Sequence, residues 1–382
     1  MKNGWQEKRL SDVCEIVMGT SPPGETYNTT GEGVPLINGP VEFSPGPFGK
    51  TVRTKFTTAP NKLCKEDDLI LCVRGSTTGK MNIAGFDACI GRGVAAIRAK
   101  EYQPWVNHFI SSKTADIYSL GTGATFPNIS TSALAGLTLL MPPLSEQRRI
   151  VGILDEAFEG LATAKANAEQ NLQNARALFE SHLQTVFTQR GEGWQEKRLD
   201  EIAVFSQGVQ IGLEAQSTEP GPELVRFIRI IDYTQGTNDV RYVKDPGVRF
   251  WVEPSEIVMV RYGTPGLIGR GIEGVIANNL FKISPINAAV TNDFLAFFLG
   301  QRSVQDYLSS QGSSTMPALT FKQLGAVGVA FPPSTKEQNS IATQLDSLHE
   351  ETQRLESLYQ RKLAALDELK KSLLHRAFSG EL

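Results

Sequence analysis

The sequence predicts two similar α+β globules joined by two long antiparallel coiled-coil helices, arranged as a pseudo-twofold tandem repeat. Three observations lead to this prediction. The heptapeptide GWQEKRL occurs twice, at residues 4–10 and 193–199. Two long stretches without proline carry apolar residues at helical spacing. Elsewhere, short apolar runs alternate with glycine and proline, which is typical of strands and turns.

The duplication extends beyond the heptapeptide, and internal repeats of this kind define the architecture of a chain. Both copies continue to a glycine at the same offset, Gly19 in the first and Gly208 in the second. Near the end of each half, residues 125–150 resemble residues 315–341. The two segments share the pairs Thr125/Thr315, Pro127/Pro317, Leu134/Leu324 and Pro142/Pro332 and, after a slip of one residue, Glu146-Gln147 with Glu337-Gln338.

Length and composition favour an ordinary globular protein of two or three domains. The chain has 382 residues, of which 40% are hydrophobic and 21% charged, and a typical domain takes about 100–200 residues. It has neither a run of about 18 apolar residues nor the apolar core of a signal peptide near its first residue, so we expect it in the cytoplasm without a membrane span. Its net charge of −3 lacks the basic excess of proteins that hold nucleic acid by themselves. The chain therefore either does not bind DNA or recognises it through a local surface while partners supply phosphate contacts.

The two proline-free stretches predict the long helices. We place the first at 145–190, with Ser145 as N-cap after Pro142-Pro143, and the second at 335–382. The globules then occupy 1–144 and 191–334. The predicted apolar seams are Ile150, Leu154, Ala157, Leu161, Ala164, Ala168, Leu172, Ala175, Phe179, Leu183 and Val186 in the first helix, and Ile341, Leu345, Leu348, Thr352, Leu355, Tyr359, Lys362, Leu366, Leu369 and Leu373 in the second.

Each predicted helix is longer than a compact globule is wide. At ~1.5 Å per residue a helix of about 43 residues measures roughly 65 Å. We therefore expect the two seams to pack against each other, and the connectivity requires the helices to run antiparallel. The alternative is two independent helical hairpins, each folded on its own globule.

Within each globule, short strands are separated by turns. Residues 68–85 match residues 255–271, each with an apolar strand, an arginine, a glycine-bearing turn and a second strand. Two strands around Gly236 are predicted at 226–243, with residues 35–43 as their counterpart. A single helix is predicted in each globule, at 102–120 and 291–310.

No motif predicts catalysis. GSTTGK at 75–80 has three residues between its glycines, where a phosphate-binding loop needs four and a hydroxyl after the lysine. The chain contains no G-x-S-x-G sequence and no Asp/Asn-Pro-Pro-aromatic methyltransferase motif. Its four histidines have no metal-ligand spacing. Its cysteines, Cys14, Cys64, Cys72 and Cys89, contain no CxxC pair and are expected to be reduced, so we predict no metal and no cofactor.

Several motifs of the chain are typical of a known family: LMPPLSEQRRI, VAFPPSTKEQNSI, GATFPNIS, SSTMPALT, the strand–arginine–glycine turns and GWQEKRL. With these motifs the chain resembles, over its whole length, the specificity subunits of type I restriction-modification systems. The resemblance implies that each globule is a target recognition domain for one half of a bipartite, asymmetric site in double-stranded DNA. It also implies that the helices set the spacing and bind two methyltransferase subunits. Adenine methylation, S-adenosylmethionine binding and ATP-driven cleavage belong in that family to the methyltransferase and restriction subunits.

Candidate DNA-binding residues lie at predicted strand ends and turns. Arginine can pair bidentately with guanine, whereas lysine and hydroxyls more often contact phosphate. Arg74 and Arg261 align across the copies, and both could instead form structural ion pairs. Trp5 and Trp194 belong to the repeated frame and are expected to be packing residues. The candidates are Lys50, Arg53, Lys55, Arg74, Ser76, Thr77, Lys80 and Arg92 in the first globule, and Arg229, Arg241, Arg261, Tyr262, Thr264 and Arg270 in the second.

Three alternatives remain at this point. Many of the candidate cations could simply form a solvated surface. The chain could serve a related fused restriction-methyltransferase enzyme. It could also be a coiled-coil scaffold that joins two protein partners without touching DNA.

Overall fold

The protein, seen here in a computed structural model, divides into two compact units. The first comprises Met1–Ala168 and Arg361–Leu382, and the second comprises Glu169–Gln360. Each long helix therefore begins in one unit and ends in the other, whereas the predicted domain boundaries set both helices apart from the globules. The structure describes residues 4–121, 127–236, 239–310 and 318–382; Thr125, Thr315 and Pro317 of the repeated segments lie outside these ranges.

The first unit contains eleven strands among the residues that the structure describes. Two 3₁₀ turns, Gly24–Thr26 and Pro40–Glu42, lie between them. The strands are β1 Gln6–Arg9, β2 Cys14–Met18, β3 Tyr27–Asn28, β4 Val34–Ile37, β5 Phe56–Thr57, β6 Leu63–Cys64, β7 Leu69–Cys72, β8 Met81–Ile83, β9 Ala88–Ile90, β10 Val94–Ala99 and β11 Thr138–Met141. The helices that begin here are α1 Leu10–Val13, α2 Gln103–Ser112, α3 Thr114–Ser119, α4 Thr131–Ala135 and α5 Leu144–Thr188.

The second unit has a similar order of elements, with ten strands and the additional helix α7 among its described residues. Its 3₁₀ turns are Leu213–Ala215 and Val248–Phe250. Its strands are β12 Gln195–Arg198, β13 Ala203–Gln207, β14 Leu224–Ile228, β15 Arg241–Lys244, β16 Trp251–Val252, β17 Ile257–Val260, β18 Ile268–Gly269, β19 Gly274–Ile276, β20 Leu280–Pro285 and β21 Gly328–Phe331. Its helices are α6 Leu199–Ile202, α7 Ile230–Thr234, α8 Asn292–Gly300, α9 Arg302–Ser310, α10 Phe321–Gly325 and α11 Thr335–Ser379.

The two units share a frame and differ in one sheet. A two-stranded sheet, β1-β11 or β12-β21, and an antiparallel four-stranded sheet, β2-β10-β7-β8 or β13-β20-β17-β18, occur in both. The remaining sheet has the order β3-β5-β4-β9-β6 in the first unit and β15-β14-β19-β16 in the second. The prediction of a tandem α+β repeat with divergent middles is confirmed.

The repeated motifs contact each other. The strand of each GWQEKRL copy pairs with the strand before each proline pair, so that Gln6 faces Met141 and Gln195 faces Phe331. The repeated glutamine of each Glu-Gln pair is buried and donates Nε2 to the carbonyl of the first proline. These bonds join Gln147 to Pro142 (2.9 Å) and Gln338 to Pro332 (2.8 Å). Because a buried amide must find a partner, this bond fixes where each long helix begins.

A glycine recurs at the same position of both units because backbone atoms pack closely against it. A Cβ atom on Gly19 would lie 2.2 Å from the Gly91 carbonyl oxygen, and one on Gly208 would lie 2.2 Å from that of Ala277. No real Cβ atom tolerates such a distance, so only glycine fits at the end of β2 and of β13.

Several local predictions are wrong. The predicted helix at 102–120 is two helices that break at Lys113, and the one at 291–310 breaks at Gln301, which is extended (ψ 146°). Between β14 and β15 the chain forms the helix α7 rather than a simple turn. The first long helix begins at Leu144, so Ser145 lies inside its first turn, and the Pro143 carbonyl accepts the N–H groups of the following turn.

The apolar seams follow the predicted spacing with one correction. All predicted seam residues of α5 are buried or half-buried. In α11, Lys362 and Leu369 are exposed, and Leu363 and Lys370 take their places. The cause is two successive four-residue steps, Leu355 to Tyr359 to Leu363, where the heptad pattern expects a three-residue step.

Segments of the two long helices pack antiparallel within each unit. In the first unit, Lys165 pairs with Asp367 (2.9 Å), while Lys370 lies over the ring of Phe158 (5.1 Å). Residue numbers therefore rise along α5 as they fall along α11. The alternative of two independent helical hairpins is wrong, because each unit contains part of both helices.

The second unit shows the same arrangement. Arg176 pairs with Glu356 (2.9 Å), and Phe179 packs on His349 with 4.8 Å between ring centroids. Surface ion pairs of this kind contribute little stability each. The buried seam therefore supplies most of the stabilisation.

Each long helix ends inside a core that is built on a repeated tryptophan. The ring of Phe378 lies 4.7 Å from that of Trp105, which in turn lies 6.1 Å from Trp5. In the second unit, the rings of Phe187 and Trp194 lie 5.4 and 5.8 Å from that of Phe294. Trp5 and Trp194 therefore pack in the cores, as predicted. No helix of the described ranges combines the length and apolar character that a membrane span requires.

Replacing Phe187 tests the anchoring of the helix end. Phe187→Ala should lower the free energy of unfolding of the second unit by about 3–5 kcal/mol, because a buried ring is lost and a cavity remains. Leu178→Ala on the same helix removes a side chain that is 56% exposed and should cost less than about 0.5 kcal/mol. Scanning calorimetry measures the unfolding of both variants. Equal losses of unfolding free energy would contradict the assignment of Phe187 as the residue that anchors the helix end.

The same substitution at two glycines should have opposite effects. Gly19→Ala forces a Cβ against backbone oxygens and should destabilise the protein by about 1–3 kcal/mol. Gly152→Ala in α5 meets no atom of the described residues within 4 Å and should stabilise it by about 0.5–1 kcal/mol. Thermal unfolding of both variants checks the pair of signs, and a stabilised Gly19→Ala protein would show that the close approach is absent.

Candidate nucleic-acid interface

The turn after β7 is held by reciprocal backbone bonds. Gly79 donates to the Cys72 carbonyl (2.9 Å), and Cys72 donates to the Lys80 carbonyl (2.8 Å). Gly75 and Gly79 have φ of +86° and +89°, a conformation that glycine adopts without strain. The turn therefore presents its side chains from a defined backbone.

The polar candidates of the first unit lie along this turn. Arg74 is exposed and donates Nε to Asn128 Oδ1 (3.2 Å), with which it also forms a β-bridge. Ser76 and Lys80 are exposed, and Thr77 is half-buried. The structure thus brings these four candidates together on one turn.

The equivalent turn of the second unit is one residue shorter. Gly266 donates to the Val260 carbonyl (2.9 Å), and both Gly263 and Gly266 have positive φ. Tyr262 forms the β-bridge with Ala318 that Arg74 forms with its partner in the first unit. Tyr262 is therefore the structural equivalent of Arg74.

The expected alignment of Arg74 with Arg261 is wrong by one residue. Because Tyr262 is equivalent to Arg74, the preceding residue Arg261 takes the position of the buried Val73. Alternate residues of a strand point to opposite faces, so the side chains of Arg261 and Arg74 do not share a direction. Its guanidinium carbon lies 5.7 Å from the ring centroids of both Tyr262 and Phe281. Thr264 is exposed on the same turn.

The other candidate cations of the first unit differ in how closely neighbouring side chains contact them. Lys50 lies 3.4 Å from Glu66 and 3.1 Å from Asp67, and the hydrogen bond to Asp67 raises the pKa of Lys50. The Arg53 guanidinium lies over the Phe86 ring at 4.4 Å. Lys55 is half-buried and Arg92 exposed.

Three predicted arginines of the second unit form ion pairs. Arg270 contacts Asp293 at 3.0 Å. Arg229 lies 3.3 Å and Arg241 2.9 Å from Asp239. These three arginines therefore form ion pairs, whereas Arg74 and Arg261, for which the ion-pair alternative was raised, have no ion-pair partner among the described residues.

Arg226 was missed from the sequence. It lies in β14, where its Nη2 reaches Asp232 Oδ1 (3.4 Å), and Asp232 is buried. An arginine preceded by valine and followed by Phe-Ile resembles an ordinary strand residue, so only the fold brings it to the other arginines.

The described side chains give little support to nucleophilic chemistry at the cysteines. Burial raises the pKa of Cys14 and Cys64 to about 12 and that of Cys72 to about 11. These thiols therefore stay protonated at neutral pH. The surface turns offer hydrogen-bond donors and cations, which suit phosphate oxygens and base edges.

One protein-family model and several relatives match the chain. The model of the type I restriction modification DNA specificity domain matches residues 2–173 and 251–362. The putative type I restriction enzyme MjaX specificity subunit of Methanocaldococcus jannaschii is 34% identical over 180 residues, which cover 45% of this chain and only 40% of that protein. The EcoBI specificity subunit of Escherichia coli is 22% identical over 425 residues, which cover 100% of this chain and 86% of that protein.

Two solved structures share the fold over the full length of the chain. One, from work on complex assembly and conformational transition of the type I R-M system, has a TM-score of 0.81 at 18% identity and covers 100% of this chain and 99% of the other. The HsdS subunit from Thermoanaerobacter tengcongensis has a TM-score of 0.62 at 19% identity, with 100% and 98% covered. At such identities the likeness concerns the fold alone.

Proposed function

This chain belongs to the type I restriction-modification DNA specificity family, and on that basis we propose that each of its two units recognises one half of a bipartite, asymmetric DNA site. The observation that carries the proposal is the repeated frame with a divergent third sheet. Base pairs present different donor and acceptor patterns in the major groove, so two different half-sites require different contacting side chains on similar scaffolds.

The chain supplies specificity, and catalysis lies in other subunits. Its partners are two methyltransferase subunits and, through the complex, restriction subunits, all acting in the cytoplasm. The net charge of −3 fits this division, because the methyltransferase subunits would provide most phosphate contacts.

The turns after β7 and β17 are the proposed centres of DNA contact. Arg74 and Lys80 in the first unit, and Tyr262 and Thr264 in the second, lie on equivalent turns. Arg53, Lys55, Ser76, Thr77, Arg92 and Arg261 are proposed to contact phosphates or bases beside them. Lys50 and Arg270, which each lie against a carboxylate, also remain proposed DNA contacts.

The long helices are proposed to set the spacing of the half-sites. Each has 45 residues and, at ~1.5 Å per residue, measures roughly 65 Å. DNA rises about 3.4 Å per base pair, so a fixed helix length selects a fixed gap.

Footprinting tests the proposed function against the scaffold alternative. The chain, assembled with its methyltransferase partner, should protect two short half-sites separated by a gap in which the sequence is indifferent. Arg74→Ala should weaken protection at one half-site by roughly tenfold, because a DNA contact is lost. Ser132→Ala, in a helix of the same unit, is the matched control and should leave protection unchanged.

Absence of any sequence-dependent protection would support the scaffold that joins two protein partners without touching DNA. Methylation by the purified chain alone would contradict its assignment as the specificity subunit.

Lengthening the helices tests the spacing. Insertion of one helical turn into α5 and α11 together should widen the gap by one or two base pairs, because a turn adds about 5.4 Å. The half-site sequences should stay the same when methylated sites are mapped by sequencing. Insertion into α5 alone should abolish methylation because the two seams fall out of register. A changed half-site sequence in the double insertion would rule out a simple spacer.

A further inference from the structure

Three arginines and two aspartates form a connected cluster in the second unit. Arg226 lies in β14, Arg229 just after it, Asp232 in α7, Asp239 in the following loop and Arg241 at the start of β15. We call these five residues the arginine–aspartate cluster. It belongs to the third sheet, which is where the two units differ.

Asp232 organises one end of the cluster. Its side chain is 1% exposed and accepts the backbone N–H of Arg229 at 2.8 Å, which caps α7. The same carboxylate lies 3.4 Å from Arg226 Nη2 and 3.6 Å from Arg229 Nε. A buried carboxylate is costly unless paired and hydrogen-bonded, and here both conditions are met.

Asp239 organises the other end. It lies 2.9 Å from Arg241 Nε and 3.3 Å from Arg229 Nη1, and its backbone carbonyl also accepts from Arg229 Nη2. The hydrogen bond from Arg241 holds the pKa of Asp239 below its ordinary value. Both carboxylates thus join two guanidinium groups each.

The three arginines are engaged to different degrees. Arg229 bridges the two aspartates and is 16% exposed, so it acts as an internal link. Arg226 is 36% and Arg241 26% exposed, and each contacts a single aspartate. Three cations and two anions give the cluster a net charge of +1, which attracts phosphate only weakly. The aspartates nevertheless orient two hydrogen-bond donors, Arg226 and Arg241.

The corresponding place in the first unit has a similar carboxylate cap, and no arginine pairs with that carboxylate among the described residues. β4 and β14 occupy equivalent positions, since each pairs in parallel with a later strand, β9 or β19, which in turn pairs antiparallel with β6 or β16. After β4, the buried Glu42 accepts the N–H groups of Asn38 and Gly39 at 3.0 and 3.1 Å. It also accepts the hydroxyl of Thr54 at 3.3 Å. The architecture is shared and the side-chain chemistry is not.

We propose that Arg226 and Arg241 contact base edges in the half-site of the second unit, and that Asp232, Asp239 and Arg229 are positioning residues for them. This inference rests on the proposed function. Arginine loses about 2 kcal/mol of side-chain entropy when it is fixed; carboxylates that fix it beforehand favour bidentate pairing with guanine over diffuse phosphate contact.

The test is methylation mapping with the whole complex on a library in which both half-sites are randomised. Arg226→Lys and Arg241→Lys keep the charge but lose the planar fork, and should reduce base discrimination roughly tenfold to hundredfold at one half-site. Asp239→Asn, at a 44% exposed side chain, and Asp232→Asn, which retains the oxygen that caps α7, should relax the same base positions. The other half-site should remain as in the unmodified chain.

Arg302→Lys is the matched control. Arg302 pairs with Asp306 at 3.7 Å on α9 of the same unit, and both side chains are largely exposed. This variant should methylate the unmodified set of sites. Thermal unfolding identifies any variant that fails to fold, and the conservative Asp239→Asn then decides the question.

The inference is overturned if folded Arg226→Lys, Arg241→Lys and Asp239→Asn proteins recognise unchanged half-sites, or if both half-sites change together. The proposed function itself would be contradicted by a separate result, namely methylation by the unmodified complex without any bipartite sequence dependence.

Discussion

The core of each unit is completed by the end of a long helix. Phe378, near the end of α11, packs on Trp105 in the first unit, and Phe187, near the end of α5, packs on Phe294 in the second. The helix end comes from a distant part of the chain in the first unit and from the start of the continuous stretch Glu169–Gln360 in the second, and both cores require it. This constraint explains why the repeated tryptophans, the buried glutamines and the apolar seams recur in both halves, since together they receive and position the helix ends.

A frame constrained in this way leaves the third sheet free to differ. The frame strands pair with equivalent partners in both units. In the third sheet, β4 of the first unit is followed by the 3₁₀ turn that Glu42 caps, whereas the equivalent β14 of the second unit is followed by the arginine–aspartate cluster. Such a division suits a specificity protein, because contacting side chains can change without loss of the core. The proposed positioning of arginines by carboxylates would also let an acidic chain recognise DNA without a general basic surface.

Local patterns predicted the frame well and the site less well. The seams of α5 and α11 follow from helical periodicity, which each helix carries in its own sequence. Leu363 rather than Lys362 belongs to the seam because the spacing of the seam residues changes there by one residue. That change depends on packing against the partner helix. Arg74 and Arg261 were misaligned because one turn is a residue shorter. The pairing of Arg229 with Asp239 depends on a helix between two strands that the sequence did not indicate.

The central claim is that each unit carries its own recognition of half a site. It is tested most directly by a chain in which residues 193–334 are replaced by a second copy of residues 4–144, assembled with the methyltransferase partner and analysed by mapping methylated adenines. The account predicts a site built from two copies of a single half-site. Retention of the original asymmetric site would contradict it.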